Sequence, residues 1–197
     1  MHGIGMSNGK KEYANQRINK MINLKGRKIN PYWYDFEKIL KIARLLGNLK
    51  KPKAFSLLIS LLDARTPFIR DAAAIILYEL KDNRAKPYLI KAINKPWNKN
   101  NRGTLVHALT YLDCRDLFLF FVQLALSNEY ETQSHALNAL YEQYFMVKES
   151  DVKNAELMIE KYIKSKNKCK DYKLLIDELR TLIKSKKESL PPHHKYR

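Results

Sequence analysis

The chain has 197 residues, 45% of them hydrophobic, which is enough for a packed core and excludes wholesale disorder. Its 37 basic and 20 acidic side chains leave a net charge of +17, a balance that points to at least partly acidic partners, although so strong a lysine bias (27 against 10 arginines) also arises from composition alone. No apolar run approaches the roughly 18 residues that cross a bilayer. The start MHGIGMSNGKK lacks the apolar stretch of a secretory signal, and Cys114 and Cys169 are isolated, so a cytoplasmic protein without a disulfide framework is expected.

Residues 1–29 are polar and lysine-rich and are expected to form a basic arm, with only a weak apolar stripe in YANQRINKMINL (13–24). Asn30-Pro31 reads as a helix start, a capping residue followed by proline at the first helical position. The helix runs to about Asn48, with Phe36, Ile39, Leu40, Ala43 and Leu46 on one stripe. Thr66-Pro67 repeats the start signal. The apolar spacing predicts further helices over 53–62, 67–81, 85–94, 101–113, 116–127, 131–146, 151–165 and 170–187, with no strand signal. Short connections imply antiparallel neighbours. The last helix is expected to cap the stack, turning Leu174, Leu175, Leu179, Leu182 and Ile183 inward and Lys173, Asp177, Glu178, Arg180 and Lys184 outward. The tail 189–197 is polar and proline-broken; its His193-His194 pair lacks a third metal ligand.

These helices repeat. ARLLGNLKKPKAFSLLISLL (43–62), AIILYELKDNRAKPYLIKAI (74–93) and VHALTYLDCRDLFLFFVQLAL (106–126) align at offsets of 31 and 32 residues, and LNALYEQYF (137–145) begins a fourth copy 31 residues on. One column holds Leu46, Leu77, Leu109 and Leu140; a second holds Ala43, Ala74, Val106 and Leu137; a third holds Leu45, Ile76, Ala108 and Ala139. A period of roughly 20–50 residues marks a solenoid, whose units bury their apolar faces only against neighbours. The expected fold is all-α, a right-handed α-solenoid of about four helical hairpins over 30–188. Ala72, Ala73 and Ala74 allow close helix approach, and Leu57, Leu58, Leu61, Leu62, Leu77 and Leu80 are the candidate core.

The segment LLISLLDARTPFIRDAAAIILYELKDNRAKPYLIKAI (57–93) resembles a HEAT repeat of the short bacterial, phycobilisome-lyase type. Asp63 matches the family's turn aspartate, Pro67, Ile69 and Arg70 the opening of its second helix, and Ala72 to Ala74 its small residues. The resemblance implies that Asp63 and Arg70 belong to a ladder tying each unit to the next. Later units depart from the pattern: Asn94 stands at the turn position, Arg102 is kept, and Gln133 replaces the arginine. The resemblance also places second helices on the concave side.

No catalytic constellation is present: there is no phosphate-binding glycine loop, no His-Glu-x-x-His, no Cys-x-x-Cys and no nucleophile elbow. No enzyme, metal or cofactor is therefore expected. The surface left by the repeat instead nominates a strip on the second helices, Lys41, Arg44, Ile75, Tyr78, His107, Tyr111, His135, Asn138, Tyr141 and Glu142, basic at one end and acidic at the other. Aromatic, amide and mixed-charge groups suit a protein-binding surface. The alternative is sequence-independent DNA or RNA binding through the basic ends, using Lys10, Lys11, Arg17, Lys20, Lys25, Arg27 and Lys28 with Lys164, Lys166, Lys168 and Lys170. Trp33 and Trp97 are candidates for stacking on bases.

Overall fold

The computed structural model describes residues 40, 41, 43–45, 52–165 and 172–188. The proposed arm, the Asn30-Pro31 helix start, the tail, Leu46 and Cys169 lie outside them. Among the described residues the fold is all-α, without strands. After helical residues 40, 41 and 43–45, the helices are α1 (Pro52–Leu61), α2 (Pro67–Glu79), α3 (Lys86–Ile93), α4 (Gly103–Thr110), α5 (Phe118–Ala125), α6 (Tyr130–Glu142), α7 (Glu149–Ser165) and α8 (Lys173–Glu188). They fall into two compact units, Met1–Leu112 and Asp113–Arg197.

In the first unit α1 packs on α2, α3 on α4, and α2 on α4, so that second helices of successive hairpins touch. In the second unit α5 packs on α6 and α7, and α7 on α8. The repeat columns supply these contacts. Leu77, Leu109 and Leu140 are wholly buried, as are Ala43, Ala74 and Val106, while Leu137 is half-buried. In the third column Ile76, Ala108 and Ala139 are buried, but Leu45, with no earlier helix to cover it among the described residues, is 41% exposed. Ala72, Ala73 and Ala74 are fully buried, which brings α2 close to its neighbours.

Two expected core leucines are not core. Leu80 is exposed because α2 stops at Glu79 and Leu80 becomes its C-cap, followed by Lys81 at a φ of 49°. Leu174 stands in the first turn of α8 and is 82% exposed, on the side opposite Ile176, Leu179, Leu182 and Ile183, which carry the packing. Leu175 is half-buried. The expected outer residues Lys173, Asp177, Arg180 and Lys184 are exposed and Glu178 is half-buried.

Helix ends depart from apolar spacing where side chains claim the backbone. Pro67 opens α2 as expected, but the Thr66 hydroxyl makes no capping hydrogen bond. Helix α6 ends at Glu142, short of 146: Gln143 is extended, the Phe145 ring packs edge-on to Phe118 and Phe121, and the Met146 N–H donates to the Arg115 carbonyl. Asp82 and Asp113, 31 residues apart, each accept from the backbone N–H and the guanidinium of the arginine two residues on, Arg84 and Arg115. This Asp-x-Arg turn precedes α3 in one unit and α5 in the other.

The ladder exists, with different partners. The Arg70 side chain is buried, and its guanidinium donates to Asn98 Oδ1 at 2.6 Å, to the Asn101 carbonyl and to Asp71. Asn98 is itself fully buried and donates from its amide to the Ala92 carbonyl. Asp63 pairs with Lys95. Both ties link one hairpin to the next, Asp63 and Arg70 each reaching into the turn between α3 and α4. Arg102 donates to the Ile93 carbonyl at the end of α3. Gln133 does the same work in its own unit, donating to the carbonyls of Ala125 and Ser127 after α5.

Removing a partner from a buried charged network leaves its other members unsatisfied, at a cost of about 3–5 kcal/mol. Arg70→Ala should destabilise the chain by that amount in urea unfolding. Gln133→Ala, which removes neutral bonds only, should cost about 1 kcal/mol.

Candidate protein-binding surface

On the first unit, the outward residues of α2 and α4 converge. Tyr78 and Tyr111 are ring-stacked, centroids 4.5 Å apart and planes at 20°. His107, one turn before Tyr111, meets both rings edge-on, at 5.7 Å from Tyr78 and 5.1 Å from Tyr111. The trio exists because α2 and α4 pack side by side and the repeat places Tyr78 on one and His107 and Tyr111 on the other at matching heights. Beside it, Arg44 holds Glu79 at 3.0 Å with a second, longer bond at 3.5 Å. Burial raises the Tyr78 pKa, assisted by the Glu79 carboxylate and by Tyr111 and opposed by Arg44, so its hydroxyl stays protonated throughout the neutral range.

Of the residues expected on this unit, Arg44, Tyr78, His107 and Tyr111 therefore form one patch. Lys41 is exposed one turn before Arg44 on the same helical face. Ile75, expected to be exposed, is half-buried, because it stands between the wholly buried Ala74 and Ile76 on a helix packed by two others. The pairing of Glu79 with Arg44 has no sequence signal: the two lie 35 residues apart. That pairing places an acidic group beside Arg44 at the basic end of the strip.

On the second unit, α6 carries the remaining members. Asn138, Tyr141 and Glu142 are exposed and His135 is half-buried. Burial lowers the His135 pKa, with Glu131 working against it. Burial raises that of Tyr141, and Glu178 of α8 works in the same direction.

Most of the residues named for nucleic-acid binding lie outside the described residues. Lys164 is exposed in the last turn of α7; Lys166, Lys168 and Lys170, all the basic residues named in 10–28, and Trp33 lie outside the described residues. Trp97, in a 3-10 turn before α4, already carries two of the chain's own cations, Arg65 at 5.3 Å and Lys95 at 5.2 Å from the ring centre. Among the described residues no group of three or more His, Cys, Asp and Glu side chains is arranged to hold a metal ion, and no helix is long and apolar enough to cross a membrane.

Residues 35–110 match the family model for HEAT repeats. That span of the chain carries HEAT repeats. The matched span contains the three-ring patch apart from Tyr111, together with the Arg70 tie. No curated protein matches the chain.

A stacked, edge-supported aromatic pair contributes about 0.5–1.5 kcal/mol beyond its buried area. A double-mutant cycle on Tyr78→Ala and Tyr111→Ala, read by thermal unfolding, should return a coupling of that size. His135 gives a pH dependence. Its folded-state pKa is lowered, so its contribution is complete above the ordinary imidazole pKa and is lost as the pH falls through the lowered one. Acidification through that range should lower the melting temperature of the native chain more than that of His135→Gln.

Proposed function

We propose that this HEAT-repeat protein is a non-catalytic scaffold that holds an at least partly acidic protein partner on the patch of Tyr78, His107, Tyr111, Lys41 and Arg44. HEAT repeats generally serve as protein-interaction scaffolds. The observation carrying the finer reading is the stacked pair, in which Tyr78 is half-buried and Tyr111 exposed. Tyr111 is 48% exposed although it lies against two other rings. Such a rigid aromatic surface loses little side-chain freedom on binding, which is what makes tyrosine an anchor in interfaces. Charge supports the nature of the partner: residues 1–112 hold 22 basic and 7 acidic side chains, whereas residues 113–197 hold 15 and 13. The Arg44–Glu79 pair is half-exposed, so a partner carboxylate can compete with Glu79 for the guanidinium without first desolvating a buried charge. His135, Asn138, Tyr141 and Glu142 of α6 are further candidate contacts for the partner. An adaptor, an assembly factor or an inhibitor of the immunity type would each use the chain in this way.

The test is affinity capture from native lysate with the wild-type chain and with Tyr78→Ala/Tyr111→Ala, each checked for unchanged helical content. Anchors of this type are worth about 2 kcal/mol or more, so the double variant should lose at least tenfold in retention of a specific acidic protein. Equal retention by both chains defeats the patch. Capture that disappears on nuclease treatment points instead to nucleic acid binding through the basic ends.

A further inference from the structure

The second unit contains a groove that none of these surfaces uses. It lies between α7 and α8, encloses about 480 Å3 and is floored by Ile159 and Ile183. Its two rims carry opposite charge. Helix α7 presents Glu156 and Glu160, one turn apart; helix α8 presents Arg180, Lys184 and Lys187 at spacings of four and three, which puts them on one side of that helix. All five are exposed. Among the described residues no ion pair or hydrogen bond joins the acidic rim to the basic one, although neighbouring charges do pair, as in Lys153–Glu149 on α7.

A groove with one acidic and one basic wall is its own complement under a suitable rotation. A two-fold axis running along the groove lays the acidic rim of one copy over the basic rim of the other, twice. A two-fold axis running across it opposes like charges and is excluded. The surroundings permit self-contact, since residues 113–197 are nearly balanced in charge, with 15 basic and 13 acidic side chains. Repulsion from the basic first unit is screened beyond about 8 Å at physiological salt. We propose that the α7–α8 groove is a homotypic docking surface that takes a second copy of this chain about a two-fold axis along the groove. Residue pairs in such an interface are reciprocal: Glu156 and Glu160 of each copy meet Arg180, Lys184 and Lys187 of the other. Ion pairs between exposed groups are individually weak, so the dimer is reversible and salt-sensitive.

Charge reversal tests this on the full chain. In sedimentation equilibrium at physiological salt the native protein should show a monomer–dimer equilibrium that shifts to monomer as salt is raised further. E156K/E160K carries two basic rims and R180E/K184E/K187E two acidic ones, so each alone should be monomeric, with unchanged helical circular dichroism. An equimolar mixture should restore the dimer, because each variant now complements the other. A native chain that stays monomeric up to its solubility limit at physiological salt, whether the groove is empty or filled by another protein's helix, overturns the proposal. So do charge-reversed variants that dimerise like the native chain, or a mixture that does not reassociate. The protein-binding patch on the first unit contains none of these residues, so its capture assay is decided separately.

Discussion

The guanidinium of Arg70 has 1% of its residue's surface left to water, and a charge so placed must find its hydrogen bonds inside the protein. It finds them in a turn that would otherwise have no reason for its shape. Asn98 is held at both ends of its amide, by Arg70 and by the Ala92 carbonyl, and the Asn101 carbonyl is turned toward the same cation. The turn so fixed delivers the chain to the start of α4. Arg70 lies in the first turn of α2, and Tyr78 eight residues on, about 12 Å along the axis. The α2–α4 pair is therefore pinned by a buried cation at one end and by stacked rings at the other. The binding patch depends on the tie: without a fixed register between these helices, Tyr78 and Tyr111 have no reason to meet.

The second unit meets the equivalent need without charge. Gln133 occupies the repeat position of Arg70 and Arg102, and its amide reaches the carbonyls that end α5. Arg70 reaches forward into the next turn, whereas Arg102 and Gln133 reach backward over the preceding helix end, and glutamine does so with no guanidinium to desolvate. Conversely, the Asp-x-Arg turn is retained across the repeat at 82 and 113, because the aspartate both caps the backbone N–H and forks onto the arginine within three residues. Local devices of this kind survive repeat divergence more easily than ties that need two hairpins to change together.

Much of the architecture was legible in the sequence because periodicity and repetition reinforce each other. Leu77, Leu109 and Leu140 occupy one column and are all fully buried. Where reading failed, a tertiary contact outweighed the local pattern. The apolar spacing continues through Phe145, but that ring belongs to a cluster with Phe118 and Phe121, and the backbone leaves the helix to put it there. Leu80 and Leu174 fit the composition of a core and not its geometry, since each stands at a helix end facing away from the packed side. In the patch, the residue types and columns were visible in advance. The Arg44–Glu79 pair and the tilt of His107 against both tyrosines were not, since they depend on side-chain rotamers chosen between helices.

The position of Trp97 has an optical consequence. Its indole sits on the turn that Arg70 shapes, 45% exposed, with one cation contributed from the turn before α2 and another from its own. An indole's emission responds to charge placed close to the ring, so its colour and intensity depend on the spacing between two successive loops of the stack. Loosening of the first unit that separates Arg65 from the indole would thus announce itself as a fluorescence change while every helix remained folded, which makes this side chain a built-in strain gauge for the stack.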